Sequence, residues 1–376
     1  MSFTFLAALS AALHACLGVR LVPALDLPAA GWLLALFLVA STVLMPAGLT
    51  ARRWVKPPAA DRLSWAGMLC MGLFSSLLVL ALLRELVLLA AWLSTLFGAV
   101  FTTDRLVAWS ARAVVVLALL ATLLGFVNAR RTAAVKRVRV RIPGLPPALE
   151  GFRIVQISDI HVGPTIKSAY LQAIVDRVNA LEADVVAVTG DLVDGSVAEL
   201  AMHVAPLAQL RARDGSYFVT GNHEYYSGVH AWTTELARLG LHVLHNTHVV
   251  LRRGDASLVL AGVPDYTGHH FDAAHKSDPA AALRDAPTGA PKVLLAHQPR
   301  TATAAAAAGF DLQVSGHTHG GQFFPWSLFV PLQQPYTAGL HKLGGLQVYV
   351  SRGTGYWGPP KRLFAPSEIS ELTLVG

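Results

Sequence analysis

The chain has 376 residues, of which 53% are hydrophobic and only 14% charged. An ordinary soluble protein has about a quarter of its residues charged, so the composition excludes a wholly water-soluble chain. Residues 1–141 carry a net charge of +10 and residues 142–376 a net charge of −3, so the basic pI does not indicate that the whole chain binds nucleic acid. The two cysteines, Cys16 and Cys70, lie in apolar runs and provide neither a disulfide framework nor a thiolate metal site.

The first third of the chain predicts an all-α transmembrane region of about four helices, residues 1–128. Each of four apolar runs is about as long as the ~20 residues that a helix needs to cross a bilayer. These runs lie near residues 3–19, 31–49, 65–83 and 106–127. The first run has no basic residue at its start and three more runs follow it, so we prefer a span to a signal peptide.

The third run is expected to end near Leu83. The next two residues, Arg84 and Glu85, form a charged pair that would be costly in the middle of a bilayer. Residues 86–97 would then lie in the membrane interface or extend the helix as a tilted end.

Basic residues predict how the spans are oriented. Four Lys/Arg lie in residues 52–62, between the second and third runs, and six lie in residues 130–141, after the fourth. The positive-inside rule places both segments in the cytoplasm. We therefore expect a multi-pass protein of the bacterial inner membrane, with its C-terminal domain in the cytoplasm.

Residues 129–150 are predicted to be a basic juxtamembrane linker. Its charges would serve as a plain stop-transfer flank or lie against anionic headgroups. The segment Pro143-Gly144-Leu145-Pro146-Pro147 breaks any helix and marks a domain boundary. The domain that follows is expected to occupy residues 151–376.

The C-terminal domain is predicted to be α/β, with helices alternating with strands early and mostly strands late. Such a pattern indicates layers of helices around β-sheets. The predicted strands are Arg153–Ser158, Val185–Thr189, Tyr217–Thr220, Ser257–Val263, Val293–Ala296, Leu312–Ser315, Gln347–Ser351 and Leu372–Val375.

Five of these strands are followed at once by polar clusters, and functional sites gather at the carboxyl ends of strands in α/β sheets. The candidate metal ligands in the clusters are Asp159, His161, Asp191, Asn222, His297, His317 and His319. Imidazole nitrogen with carboxylate and amide oxygen suits Mn, Fe or Zn, and the sulfur of a structural zinc site is missing. Seven ligands are too many for one ion and about right for two divalent ions that share a carboxylate.

The spacing within the clusters is also informative. Asp-x-His and His-x-His place both side chains on one side of an extended segment. The neighbouring Gly190, Gly221 and Gly316 allow tight turns. Asp194 is expected to support the ligands or to stabilise a turn. The remaining histidines considered, which we interpret as surface or loop residues, are His242, His245, His248, His269, His270 and His275.

These clusters resemble the motifs of the calcineurin-like metallophosphoesterase superfamily, in order over residues 152–319. The later Gly320-Gly321-Gln322 and Tyr349–Gly355 are similar to its branch of membrane-associated bacterial phosphodiesterases. The resemblance implies a four-layer αββα sandwich. It also implies the following roles: Asp159, His161 and His319 on one metal, Asn222, His297 and His317 on the other, Asp191 bridging both, His223 as general acid, and Glu224 as a supporting residue.

The resemblance further implies a metal-dependent phosphoester hydrolase in which a hydroxide that bridges two ions attacks phosphorus. A membrane-held site favours a lipid-linked substrate. The resemblance implies a UDP-diacylated glucosamine as one such substrate, because some members of the superfamily hydrolyse its pyrophosphate. The apolar segment 325–332 would then contact acyl chains or the bilayer, unless it packs on the domain's own core. Phospholipid diesters, nucleotides and cyclic nucleotides are alternative substrates, and a membrane sensor that binds a phosphate ligand without turnover is an alternative function. No nucleic acid is expected as a partner, because the catalytic region lacks a basic excess.

Overall fold

The computed structural model describes residues 3–97 and 103–376, which form two compact units. One unit runs to Val127 and includes Gly358–Lys361, and the other comprises Asn128–Trp357 and Arg362–Gly376. The first four helices are α1 (Phe3–Leu21), α2 (Pro28–Thr50), α3 (Ala59–Thr95) and α4 (Thr103–Arg130). Within the described residues, four helices are long and apolar enough to cross a membrane, as the sequence predicts.

Helix α3 has 37 residues in all and continues beyond Leu83, where the predicted span ends, to Thr95. The Arg84 side chain is buried in the helical unit, where it donates a hydrogen bond to Ser110 Oγ at 3.0 Å and pairs with Glu85 at 2.8 Å. These partners satisfy the charge inside the helix, which is why the charged pair does not terminate it. Residues 86–95 therefore belong to the same helix as the third apolar run.

The second unit contains two six-stranded sheets. The strands are β1 (Ala134–Arg141), β2 (Arg153–Ile157), β3 (Val185–Val188), β4 (Ser216–Phe218), β5 (Leu241–Val243), β6 (Thr247–Arg253), β7 (Ala256–Gly262), β8 (Lys292–Leu295), β9 (Leu312–Ser315), β10 (Gly339–Leu343), β11 (Leu346–Val350) and β12 (Glu368–Val375). The first sheet has the order β1-β12-β2-β3-β4-β5 and the second the order β10-β11-β9-β8-β7-β6. Strands β2 to β5 are parallel to one another, as are β7, β8, β9 and β11.

Six helices accompany the sheets: α5 (Ser168–Asn179), α6 (Val197–Val204), α7 (Asn222–Ser227), α8 (Val229–Arg238), α9 (Pro279–Ala282) and α10 (Ala302–Ala308). Successive residues of β2 face opposite cores: Ile154 packs between the two sheets, whereas Val155 packs with Leu171 of α5 and Trp232 of α8. A third core joins the second sheet to Ala305 of α10. The layers are therefore helix, sheet, sheet and helix, which confirms the predicted four-layer αββα sandwich.

The segment predicted as a linker, residues 129–150, instead contains the edge strand β1. This strand pairs in parallel with β12 over eight residues, from Ala134↔Glu368 to Arg141↔Val375. Val138 and Val140 pack on the core between the sheets while the intervening basic side chains point away. Valine alternating with Lys and Arg is the pattern of a strand with one buried face. The many charged residues make this strand look like a linker in the sequence.

Candidate metal centre

The candidate ligands all follow strands that end at one edge of the two sheets. Asp159 and His161 follow β2, Asp191 follows β3, Asn222 follows β4 at the start of α7, His297 follows β8, and His317 and His319 follow β9. The hydrogen bond from the Gln156 side chain to the Ser315 carbonyl, at 2.9 Å, ties β2 to β9 across the two sheets. The parallel strands thus bring residues that are far apart in the sequence together at one edge of the sheets.

Asp159, His161 and His319 form the first ligand group. All three are buried, and one ligand atom from each lies within 4.8 Å of the others. The two Nε2 atoms of His161 and His319 are 3.0 Å apart, and His319 Nε2 is 3.5 Å from Asp159 Oδ1. Ligands about 2.0–2.1 Å from one ion are about 3 Å apart, so these separations fit a shared cation.

Asp191, His297 and His317 form the second ligand group. His297 Nε2 lies 3.2 Å from Asp191 Oδ2 and 3.2 Å from His317 Nδ1. The same Asp191 oxygen is 3.9 Å from Nε2 of His161, which belongs to the first group. Asp191 therefore lies between the two groups, where a bridging carboxylate would have to be.

Asn222 offers direct support for a cation. Its Oδ1 atom is buried and has no hydrogen-bond partner among the described residues. An unsatisfied buried amide oxygen costs about 1–3 kcal/mol, and a bound cation would remove that cost. The donor set of imidazole nitrogens with carboxylate and amide oxygens therefore fits two divalent ions, although its geometry does not identify the element.

The backbone at the ligands is not extended, contrary to the expectation for Asp-x-His and His-x-His. Positive φ angles occur at five of them: Asp159 (55°), His161 (57°), Asp191 (53°), His317 (71°) and His319 (52°). Left-handed conformations are costly for residues with side chains and cluster at functional sites. The strands end before these residues, and the loops curl so that both side chains of each pair turn inward.

The glycines next to the ligands mainly leave room for the ligand carboxylates of neighbouring loops. A Cβ atom on Gly316 would lie 2.3 Å from Asp159 Oδ2, and one on Gly221 would lie 2.2 Å from Asp191 Oδ1. Of the three glycines singled out in the sequence, only Gly190 has a positive φ, 85°. Any larger residue at Gly221 or Gly316 would displace a candidate ligand.

Two carboxylates hold the ligand loops in place. Glu224 is buried and accepts hydrogen bonds from the backbone N–H groups of Gly221 (2.7 Å), Asp191 (3.0 Å) and Leu192 (2.7 Å), so it joins the loop after β3 to the loop after β4. Asp194 Oδ1 lies 3.2 Å from His161 Nδ1 and fixes the orientation of that ring. These are contacts that supporting residues would make, and the supporting role itself stays a prediction.

Asp194 also holds His223, at 2.5 Å from its Nδ1 atom. Burial disfavours the charged imidazole, but the Asp194 hydrogen bond and the nearby Asp191 carboxylate outweigh it and raise the pKa of His223 to about 9. By contrast, burial and the charge of His297 lower the pKa of His317 to about 3, so that ring is neutral.

Arg362, which no sequence motif indicates, is fully buried beside the first ligand group. Its guanidinium donates to the carbonyls of His319 (2.8 Å) and Arg352 (2.7 Å), and its Nη2 lies 3.0 Å from His319 Nδ1. Burial and the Arg362 charge lower the pKa of His319 well below its usual value. No motif surrounds Arg362, so only the glycine loop at residues 351–355, which packs against Ile160, indicates this side of the site.

Two aromatic rings beside His223 were also missed. The Tyr226 and Trp357 ring centroids lie 5.2 and 5.7 Å from that of His223, and both rings are more than half exposed. They give the surface around the imidazole an apolar character.

Comparisons with known proteins agree with this geometry. A family model described as calcineurin-like phosphoesterase matches residues 152–321. A Bos taurus protein described as a transmembrane protein with metallophosphoesterase domain is 39% identical over 327 residues, which cover 81% of this chain and 72% of that protein. A Danio rerio protein of the same description is 40% identical over 66% of this chain and 59% of its own length, and an uncharacterized metallophosphoesterase of Helicobacter pylori is 41% identical over 59% of this chain and 60% of its own length. The chain thus spans about three-fifths of these last two relatives. It belongs to the calcineurin-like metallophosphoesterase family and is a metal-dependent phosphoester hydrolase.

Proposed function

We propose that the chain is a membrane-anchored phosphodiesterase or pyrophosphatase with a centre for two divalent ions, Mn, Fe or Zn. The observation that carries the proposal is the position of Asp191, whose Oδ2 atom faces ligands of both groups at 3.2 and 3.9 Å. Asp159, His161 and His319 would hold one ion, and Asn222, His297 and His317 the other. Two such ions supply Lewis-acid activation of water and of the phosphoryl oxygens.

His223 acts as the general acid in this proposal. Its backbone N–H donates to Asp191 Oδ1 at 2.9 Å, and Asp194 accepts from its Nδ1, so backbone and ring are both fixed. The ring nitrogen that Asp194 does not occupy, Nε2, is the one that can give a proton to the departing oxygen. Positioned proton transfer is typically worth about 10²–10⁴-fold in rate.

The surface around the centre supports a lipid-linked substrate, such as a UDP-diacylated glucosamine. The segment 325–332 follows the His319 turn and exposes its large apolar side chains: Leu328 is 65% and Leu332 80% exposed. The alternative that these side chains pack on the domain's own core therefore does not hold for them. Exposed apolar side chains near a site are suited to contact acyl chains or a bilayer.

A substrate panel tests the proposal with the full-length protein in detergent and Mn²⁺. We expect hydrolysis of bis(p-nitrophenyl) phosphate, and more efficient hydrolysis of UDP-diacylglucosamine. Leu328→Ser and Leu332→Ser should raise KM for the lipid but leave the soluble diester unchanged, whereas Met202→Ser, an equally exposed residue on α6, should change neither. Equal changes in KM for the lipid and for the soluble diester would contradict a lipid-linked substrate.

A nucleotide or cyclic-nucleotide phosphodiesterase is the second candidate, because the exposed rings of Tyr226 and Trp357 beside His223 could stack on a base. Faster turnover of soluble nucleotides than of the lipid would favour it. Binding of these phosphates without hydrolysis of any substrate would instead favour the membrane sensor.

The proposal places the catalytic unit on the cytoplasmic side of a bacterial inner membrane. The observation behind it is the basic excess in residues 52–62 and 130–141. A reporter that works only outside the cytoplasm, fused after Leu374, should be silent, and a control fusion that works only inside should be active. The reverse pattern would contradict this orientation.

A further inference from the structure

A second cluster of metal-binding side chains lies outside the proposed catalytic centre. His230, Asp272 and His275 bring one ligand atom each to within 4.8 Å of one another. The His230 Nε2 to Asp272 Oδ2 distance is 3.2 Å, and His275 Nε2 is 3.7 Å from the same oxygen. His245 adjoins the cluster, with its ring centroid 4.3 Å from that of His275. His245 and His275 lie in none of the motifs that follow the strands, so the sequence indicates only surface or loop residues.

The distances match those of a tetrahedral zinc site. Zinc binds nitrogen and oxygen ligands at about 2.0–2.2 Å, so two ligands at a tetrahedral angle are about 3.3 Å apart. The two separations from Asp272 Oδ2, 3.2 and 3.7 Å, lie on either side of that value. Two imidazoles with one carboxylate suit zinc, whereas calcium and magnesium prefer oxygen ligands alone.

The neighbours of the cluster hold two of the ligands in position. Asp272 Oδ1 accepts a hydrogen bond from the backbone N–H of Ala274 at 2.9 Å. Oδ2 is therefore the oxygen that faces the two histidines and is left to bind an ion. The Tyr225 hydroxyl lies 2.8 Å from His275 Nδ1, so that nitrogen has its partner and Nε2 is the one left to bind metal. A histidine that binds metal usually hydrogen-bonds through its other ring nitrogen in this way.

We propose that His230, Asp272 and His275 form a peripheral zinc site, with its fourth position open to water. His230 is 73% exposed, so an ion can enter and keep a water ligand. Zinc at this place joins the start of α8, which carries His230, to the turn Ala273–His275. Tyr225, on α7 with His223, contacts the same turn through His275. The ion therefore stabilises the helix pair that carries the proposed general acid, without touching substrate.

The test counts zinc on the full-length protein in detergent after its main centre has been loaded with Mn²⁺. Zinc is added by equilibrium dialysis, and both metals are measured by mass spectrometry. Wild type should bind one more zinc than His230→Ala, and zinc should raise the thermal midpoint of wild type more than that of the variant. His269→Ala removes an exposed histidine of the preceding turn and should behave as wild type.

A second variant tests whether the loss of zinc in His230→Ala comes from a change in structure instead of the loss of a ligand. Asp272→Asn keeps an oxygen for the Ala274 N–H but replaces the other carboxylate oxygen, so it should also lose the extra zinc. Both variants should retain Mn²⁺-dependent turnover, because neither residue lies in the catalytic centre. Equal zinc counts in wild type, His230→Ala and Asp272→Asn would overturn the site, whatever the outcome for the phosphoesterase activity.

Discussion

Replacement of Glu224 by alanine tests how the ligand loops are held. The buried Glu224 carboxylate accepts three backbone N–H groups, at 2.7 to 3.0 Å, from the loops that carry Asp191 and Asn222. Each buried donor left without a partner costs about 1–3 kcal/mol, so the variant should lose at least about 3 kcal/mol of unfolding free energy. At about 2–4 °C per kcal/mol for a unit of this size, the thermal midpoint should fall by about 6–12 °C.

The assay follows tryptophan fluorescence on heating and the metal content of the purified full-length protein. Glu224→Ala should also bind less metal, because the loop of the bridging Asp191 is no longer fixed. The matched control is Glu235→Ala on α8, which removes a surface ion pair with Arg238 and should leave the thermal midpoint and the metal content close to those of wild type. A Glu224→Ala protein with wild-type midpoint and metal content would refute this reasoning.

Three further substitutions test individual parts of the centre. His223→Ala should keep its metal but lose about 10²–10⁴-fold in turnover on esters with poor leaving groups, and much less on p-nitrophenyl esters; equal turnover in variant and parent would remove its role. Asp191→Asn should lose both metal and activity, so full metal occupancy would count against the bridge. Gly316→Ala should lose metal in the first group, because its Cβ would lie 2.3 Å from Asp159 Oδ2; a crystal structure with an undisplaced Asp159 would contradict this.

The sequence predicts the inner strands of both sheets but not their edges. Each of the eight predicted strands overlaps an inner strand, from β2 to β12. The four missed strands, β1, β5, β6 and β10, are the four edges. Inner parallel strands are buried on both faces and form continuous apolar runs, whereas edge strands carry polar and charged side chains that conceal the pattern. This also explains why the basic strand β1 was predicted to be a linker.

The candidate ligands were predictable because each stands in a short motif after an apolar strand. The backbone conformation of these ligands was not predictable, because five of them adopt a left-handed conformation that no local sequence pattern requires. Arg362 and the cluster around Asp272 were not predicted from the sequence for another reason. Each includes a contact between residues far apart in the sequence, Arg362 with His319 and His230 with Asp272, which only the folded chain brings together.

Turnover of bis(p-nitrophenyl) phosphate during Mn²⁺ titration of the metal-free full-length protein tests the central claim most directly. The account predicts no hydrolysis without metal, and a rate that rises until two ions are bound per chain at the groups joined by Asp191. A rate that is complete at one bound ion, or no hydrolysis at any Mn²⁺ concentration, would contradict the two-ion centre.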